Sequence, residues 1–292
     1  MHFENNRRRK IRHITFPALP AACTLANGLC GLAAITVVTS HAPHHSQTAL
    51  AFYAALLIFL GMVFDMLDGN IARMMRQTSQ FGKELDSLCD VITFGVAPVF
   101  IMFTYSDVFQ RRLLWGIGAL YAAGAILRLA RFNVQKDEHA PTAFFSGLPI
   151  PMAAGTIASF AIATPSLIEL TDVLMPESTQ EWARRINTAT MVIVPVLTGV
   201  LAWLMVSHIR YPHVASALAR RRSFPQLVEL MFAAVVAVTL KEFALPVLFS
   251  YFVFAPPIKQ LRLWVLSRLD PGSDARASDG PAVAVAGVDD GP

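Results

Sequence analysis

Charge is scarce in this chain. Asp, Glu, Lys and Arg make up 15% of its 292 residues, against 54% hydrophobic, which is well below the charged share that covers a soluble domain. Cysteine is scarcer still. Cys23, Cys30 and Cys89 lie in or beside apolar segments, with no CxxC pair and no histidine at ligand spacing, so they read as small buried hydrophobes rather than as disulfides or a thiolate metal site. No internal repeat of solenoid period is present. His41, His44 and His45 fall between apolar runs and read as a solvated loop.

Long apolar runs are abundant instead. They cover 19–39, 47–64, 88–104, 113–127, 148–170, 188–207, 225–240 and 243–257, most of them long enough to cross hydrocarbon as helices. The expected fold is an all-α integral membrane protein, a bundle of about eight transmembrane helices. Only Lys241 and Glu242 separate the last two runs, which suggests a tight helical hairpin, with six spans plus a re-entrant pair as the alternative. Arg7, Arg8, Arg9 and Lys10 precede the first run, yet about twenty apolar residues exceed a signal peptide's core and seven more runs follow.

Basic residues set an expected orientation. With a cytoplasmic N-terminus, 19 of the 24 Lys and Arg fall on the inner side and 5 on the outer, so both termini are expected in the cytoplasm of a multi-pass cell (inner) membrane protein. The formal charge of +4 then follows from topology and attraction to anionic lipid, and does not point to nucleic acid. Three segments are expected: a basic N-terminal segment at 1–16 with a short interfacial helix, a membrane domain at 17–268, and a Gly-, Pro-, Ala- and Asp-rich disordered tail at 269–292.

Four aspartates border the second and third runs. Asp65, Asp68, Gly69 and Ala72 are spaced i, i+3, i+4 and i+7, and share one helical face; Gly82, Asp86 and Asp90, at i, i+4 and i+8, share another. Between them, residues 74–81 suit a short cytoplasmic turn. An antiparallel hairpin would gather all four carboxylates at the cytoplasmic end of the bundle. Each ionisable group at membrane depth costs a few kcal/mol, on the order of 2.5–3.5, and like charges in one cavity repel further. Two divalent cations would neutralise the cluster, and an all-oxygen donor set without His or Cys favours Mg²⁺ or Mn²⁺ over zinc. Gly69 and Ala72 leave space beside the carboxylates, and Arg73 is placed to pair with phosphate.

The whole pattern is D-x2-D-G-x2-A-R-x8-G-x3-D-x3-D. It resembles the motif of the CDP-alcohol phosphotransferases, and every fixed position is met, by Asp65, Asp68, Gly69, Ala72, Arg73, Gly82, Asp86 and Asp90. The resemblance implies that Asp65, Asp68 and Asp86 bind metal, that Asp90 is the catalytic base with a possible metal contact, and that Gly69, Ala72, Arg73 and Gly82 form the nucleotide site. It also implies a homodimer.

Further stretches resemble the membrane-embedded phosphatidylserine synthase branch: Thr93 to Pro98 after Asp90, Arg128 to Asn133 at the close of the fourth run, and residues 145–151 at the opening of the fifth, with a weaker echo at 207–212. The family often carries an asparagine after the proline that stands here as Pro20; Ala21 and Ala22 replace it, while Thr24 and Asn27 remain. The expected reaction is transfer of a phosphatidyl group from CDP-diacylglycerol to L-serine in the lipid bilayer, releasing CMP. Arg128 and Arg131, three apart, with Asn133, are candidates for holding the acceptor's carboxylate, or they anchor the helix at the headgroups. Glycerol 3-phosphate is the alternative acceptor, and a cation-coupled transporter the alternative class. Crowding of the acids at one end argues against transport, whose sites usually lie near the midplane.

Overall fold

The fold is taken from a computed structural model, which describes residues 2–40, 46–74, 80–105, 108–135, 144–169, 177–212 and 243–269. Its elements are α1 (His2–Thr39), α2 (Gln47–Met74), α3 (Gln80–Asp90), a π-helical segment (Val91–Val96) leading into α4 (Ala97–Phe103), and α5 (Arg111–Gln135). There follow β1 (Phe144–Ser146), α6 (Ile150–Glu169), α7 (Glu177–Val206), β2 (Arg210–Pro212) and α8 (Ala244–Leu269).

Six helical stretches among the described residues are long and apolar enough to cross a membrane: Leu19–Thr39, Gln47–Ile71, Gln80–Phe103, Arg111–Val134, Gln180–Val206 and Ala244–Arg262. The apolar part described in α6, Ile150–Pro165, is shorter. The run at 225–240, and with it the proposed hairpin, lies outside the described residues, as do the histidine loop at 41–45, the turn at 75–79 and the tail from 270 onward. The short interfacial helix expected at 3–16 is instead the beginning of α1, which runs unbroken into the first span.

These helices pack as membrane helices do, through small residues. α1 and α2 run along each other with Ala34, Ala51, Ala54 and Ala55 buried between elements of the core. α6 is the central helix, with Ala153, Ala154, Ala158 and Ala161 fully buried, and it meets α2, α7 and α8. Large apolar side chains point outward, among them Leu29, Leu120 and Trp203 at 63%, 66% and 66% exposure; in water such a surface would aggregate, whereas lipid solvates it. Hydroxyls inside the helices are absorbed by carbonyls one turn back, as with Thr156 to Met152 at 2.7 Å and Thr198 to Val194 at 2.8 Å. Cys30 and Cys89 are buried, and all three cysteines are free.

Two irregularities shape the end of the bundle that carries the aspartates. The first is the π-helical segment that begins directly after Asp90. Pro98 has no N–H to offer the Phe94 carbonyl four residues back, and the buried Tyr121 hydroxyl of α5 donates to that carbonyl at 3.2 Å. The second is a two-stranded antiparallel ladder pairing Phe144 with Pro212, Phe145 with Tyr211 and Ser146 with Arg210. It joins the two segments that carried the resemblance on either side of α6 and α7. Gly147 continues the pairing through its N–H to the Ile209 carbonyl at 2.9 Å. It does so at φ +85°, with the Met205 carbonyl where a Cβ would stand, so only glycine fits.

Candidate active site

α2 and α3 bring three carboxylates together. One oxygen from each of Asp65, Asp68 and Asp86 lies within 4.8 Å of the others, as the one-face spacing of each helix requires. Oxygens on opposite sides of a single octahedral Mg²⁺ stand about 4 Å apart, so the separation suits a cation held between them. Asp68 is buried, and its Oδ2 has no hydrogen-bond partner among the described residues. A buried carboxylate oxygen without a donor is unfavourable unless a cation meets it. The chemistry of the set and this orphaned oxygen both fit a hard divalent metal.

Asp65, Asp86 and Asp90 open onto a cavity of about 520 Å³ whose far wall is α5, with Arg128, Phe132 and Asn133. Pro149 and Pro151, positioned by the ladder and Gly147, border it as well. Arg128 is 9% exposed, its guanidinium carbon 5.9 Å from the centre of the Phe132 ring. It lies in electrostatic reach of Asp90, and its Nε has no hydrogen-bond partner among the described residues. Asn133 donates to the Ser87 hydroxyl at 2.9 Å, tying α5 to α3.

The remaining candidates fall in different places. Arg131 is absent from the cavity lining; its Nη2 donates to the Val206 carbonyl at the end of α7, at 3.2 Å. Gly69 has open space where a Cβ would point, with nothing within 4 Å. Gly82 is half-buried near the start of α3. Ala72 and Arg73 belong to the last turns of α2, but their side chains lie outside the described set. One residue that had no role from sequence emerges: Asn27 of α1 is fully buried and donates its amide to Asp90 Oδ1 at 2.9 Å. The signal for it was present, since an amide inside an apolar run is expensive at membrane depth without a partner.

Taken together, these features define a class of multi-pass membrane protein with an all-oxygen carboxylate cluster able to hold a cation at one end of its bundle, beside a cavity with a buried guanidinium. Comparison with known proteins narrows it. The family model described as CDP-alcohol phosphatidyltransferase matches residues 17–199, and the chain belongs to that family. The CDP-diacylglycerol–serine O-phosphatidyltransferase of Bacillus subtilis is 32% identical over 197 residues, covering 67% of this chain and 90% of the relative. The Helicobacter pylori protein of the same name is 32% identical over 212 residues, covering 73% and 74%. The Saccharomyces cerevisiae one is 36% identical over 148 residues, 47% of this chain and 51% of the relative.

Proposed function

We propose that the chain transfers a phosphatidyl group from CDP-diacylglycerol to L-serine, giving phosphatidylserine and CMP. The observation that carries this reading is the single cavity lined by Asp65, Asp86 and Asp90 on one side and by Arg128 and Asn133 on the other. It is supported by relatives named for this reaction over most of their length.

Asp65, Asp68 and Asp86 would hold one Mg²⁺ or Mn²⁺ between them, and the resemblance to the family implies a second ion beside it. Metal held by these carboxylates would screen the pyrophosphate charge and stabilise the departing CMP. Gly69, Ala72, Arg73 and Gly82 make the nucleotide side of the pocket, where the open space at Gly69 leaves room for a ring. The serine hydroxyl attacks the phosphorus that carries the lipid, the bond from that phosphorus to the CMP oxygen breaks, and the hydroxyl proton passes to Asp90. Arg128 pairs with the serine carboxylate through its planar fork. Asn133 holds α5 against α3 on the acceptor side, and Arg131 braces α5 on α7 from behind.

The membrane domain runs from 17 to 268, with about eight spans, the site and both termini cytoplasmic, and the protein acts as a homodimer. The positive-inside bias supports that orientation: His44→Cys should react only with reagent added outside and Thr78→Cys only from the cytoplasm, and labelling of both from one side rejects it. Cross-linking in native membranes reads the dimer. For the reaction, purified protein is given radiolabelled CDP-diacylglycerol with L-serine, glycerol 3-phosphate or inositol, and the lipid products are separated by thin-layer chromatography. Phosphatidylserine is the expected product. Phosphatidylglycerol phosphate in its place overturns the acceptor, and absence of CMP release with every acceptor overturns the transferase.

A further inference from the structure

We infer that Asn27 is a positioning residue for Asp90, holding one oxygen of the carboxylate so that the other is the one that accepts the acceptor's proton; this rests on Asp90 being the base. The two residues are 63 apart in sequence and belong to different helices, and their bond, 2.9 Å from Asn27 Nδ2 to Asp90 Oδ1, crosses the α1–α3 interface. An ionised carboxylate can only accept, so the amide nitrogen is the atom that faces it. Asn27 is fully buried, so water reaches the bond only from the side where Asp90 meets the cavity.

The main chain of Asn27 is held by the same stretch as its side chain. Its carbonyl accepts from the Thr93 hydroxyl at 2.8 Å, and Thr93 lies in the π-helical segment that starts right after Asp90. Glycines make this approach possible. A Cβ on Gly31 would stand 2.6 Å from Thr93 Cα, and one on Gly61 would stand 2.9 Å from Asn27 Oδ1, so any larger residue pushes the helices apart. Three helices thus close on one amide.

The other half of that amide argues for function over packing. Asn27 Oδ1 is buried and has no hydrogen-bond partner among the described residues. Leucine has nearly the same branched shape and would fill the site without that unfavourable burial. The asparagine is used here through its donor, and that donor is spent on Asp90. The bond also fixes the carboxylate's rotation, which a proton acceptor needs in order to meet a hydroxyl within hydrogen-bond reach.

The test uses the full chain purified in detergent with Mg²⁺, with CDP-diacylglycerol and L-serine varied in turn. Asn27→Leu keeps the shape and loses the donor; Asn27→Asp keeps the size and places a carboxylate against a carboxylate. Both are expected to lower kcat at least tenfold, Asn27→Asp more, while KM for CDP-diacylglycerol stays within threefold and the gel-filtration profile is unchanged. If Asn27→Leu does not accumulate, Asn27→Ala gives the same split. A folded variant with kcat within twofold of the parent, or one whose loss falls mainly on donor KM, overturns the proposal. Asp90→Asn is measured alongside. Full turnover in Asp90→Asn removes the base assignment itself, whereas loss there with full kcat in Asn27→Leu removes only the role of Asn27.

Discussion

At one end of the bundle, Asp65, Asp68 and Asp86 crowd together beside a cavity of about 520 Å³. Some 18 residues earlier on α2, about 27 Å at 1.5 Å per residue, Gln47 borders a second cavity of about 260 Å³ walled by Val38, Phe100, Phe103, Leu114 and Trp115, with Arg111 as the charged residue in its lining. Two of its rings, Phe103 and Trp115, pack at 5.0 Å. The bundle therefore carries like charges at one end and a tilted pair of packed rings at the other. Packing of rings stabilises outright, whereas clustered carboxylates oppose folding until a cation arrives. The acidic end holds its shape through bonds between helices, Asn27 to Asp90 and Asn133 to Ser87, and that is where stability has been traded for chemistry.

The contrast can be broken most sharply at the carboxylates. Asp65→Asn, Asp68→Asn and Asp86→Asn should each abolish turnover, and chelation should do so reversibly, with recovery on adding Mg²⁺ or Mn²⁺. In metal-free buffer the same variants should melt above the parent, because a source of repulsion has gone. A lower melting temperature in all three would contradict the trade. Asp90→Asn should also remove turnover yet retain Mg²⁺-dependent binding of CDP-diacylglycerol; loss of donor binding would make it a ligand instead of a base. A smaller effect is expected across the cavity. Arg128→Lys should raise KM for serine at least tenfold, about 1.4 kcal/mol, and leave KM for CDP-diacylglycerol nearly unchanged. Arg131→Lys should raise serine KM less than threefold. Equal effects from the two arginines would mean that both hold the acceptor. Smallest of all, Arg111→Gln at the ring-lined end should change turnover less than twofold.

Much of the acidic end was legible because it depends on local geometry. Helical spacing alone puts Asp65 and Asp68 on one face and Asp86 on another, and a short connection turns those faces together; the structure joins them within 4.8 Å. What needed packing was not legible. Arg128 and Arg131 are three apart, about 60° from each other around the helix, and read alike, but α7 presents the Val206 carbonyl to only one of them. Asn27 could be flagged as a polar residue in an apolar run, but its partner lies in another helix. The ladder at Phe144–Ser146 and Arg210–Pro212 joins segments more than sixty residues apart and too short to show a strand period. Pro98 leaves the Phe94 carbonyl without its helical donor, and the residue that answers it, Tyr121, was set by the approach of α5.

The order of the chain gives the acidic hairpin a history during biosynthesis. Asp65, Asp68, Asp86 and Asp90 all lie within 26 consecutive residues, and Arg128 follows 38 residues after the last of them. At about 5–20 residues per second, α2 and α3 leave the ribosome about 2–8 s before the guanidinium that will face them does. For that interval the hairpin's counter-charge is limited to its own Arg73, Arg76 and Lys83 and to cations from solution. A divalent cation taken up at that stage would act on the growing chain before it served the finished one.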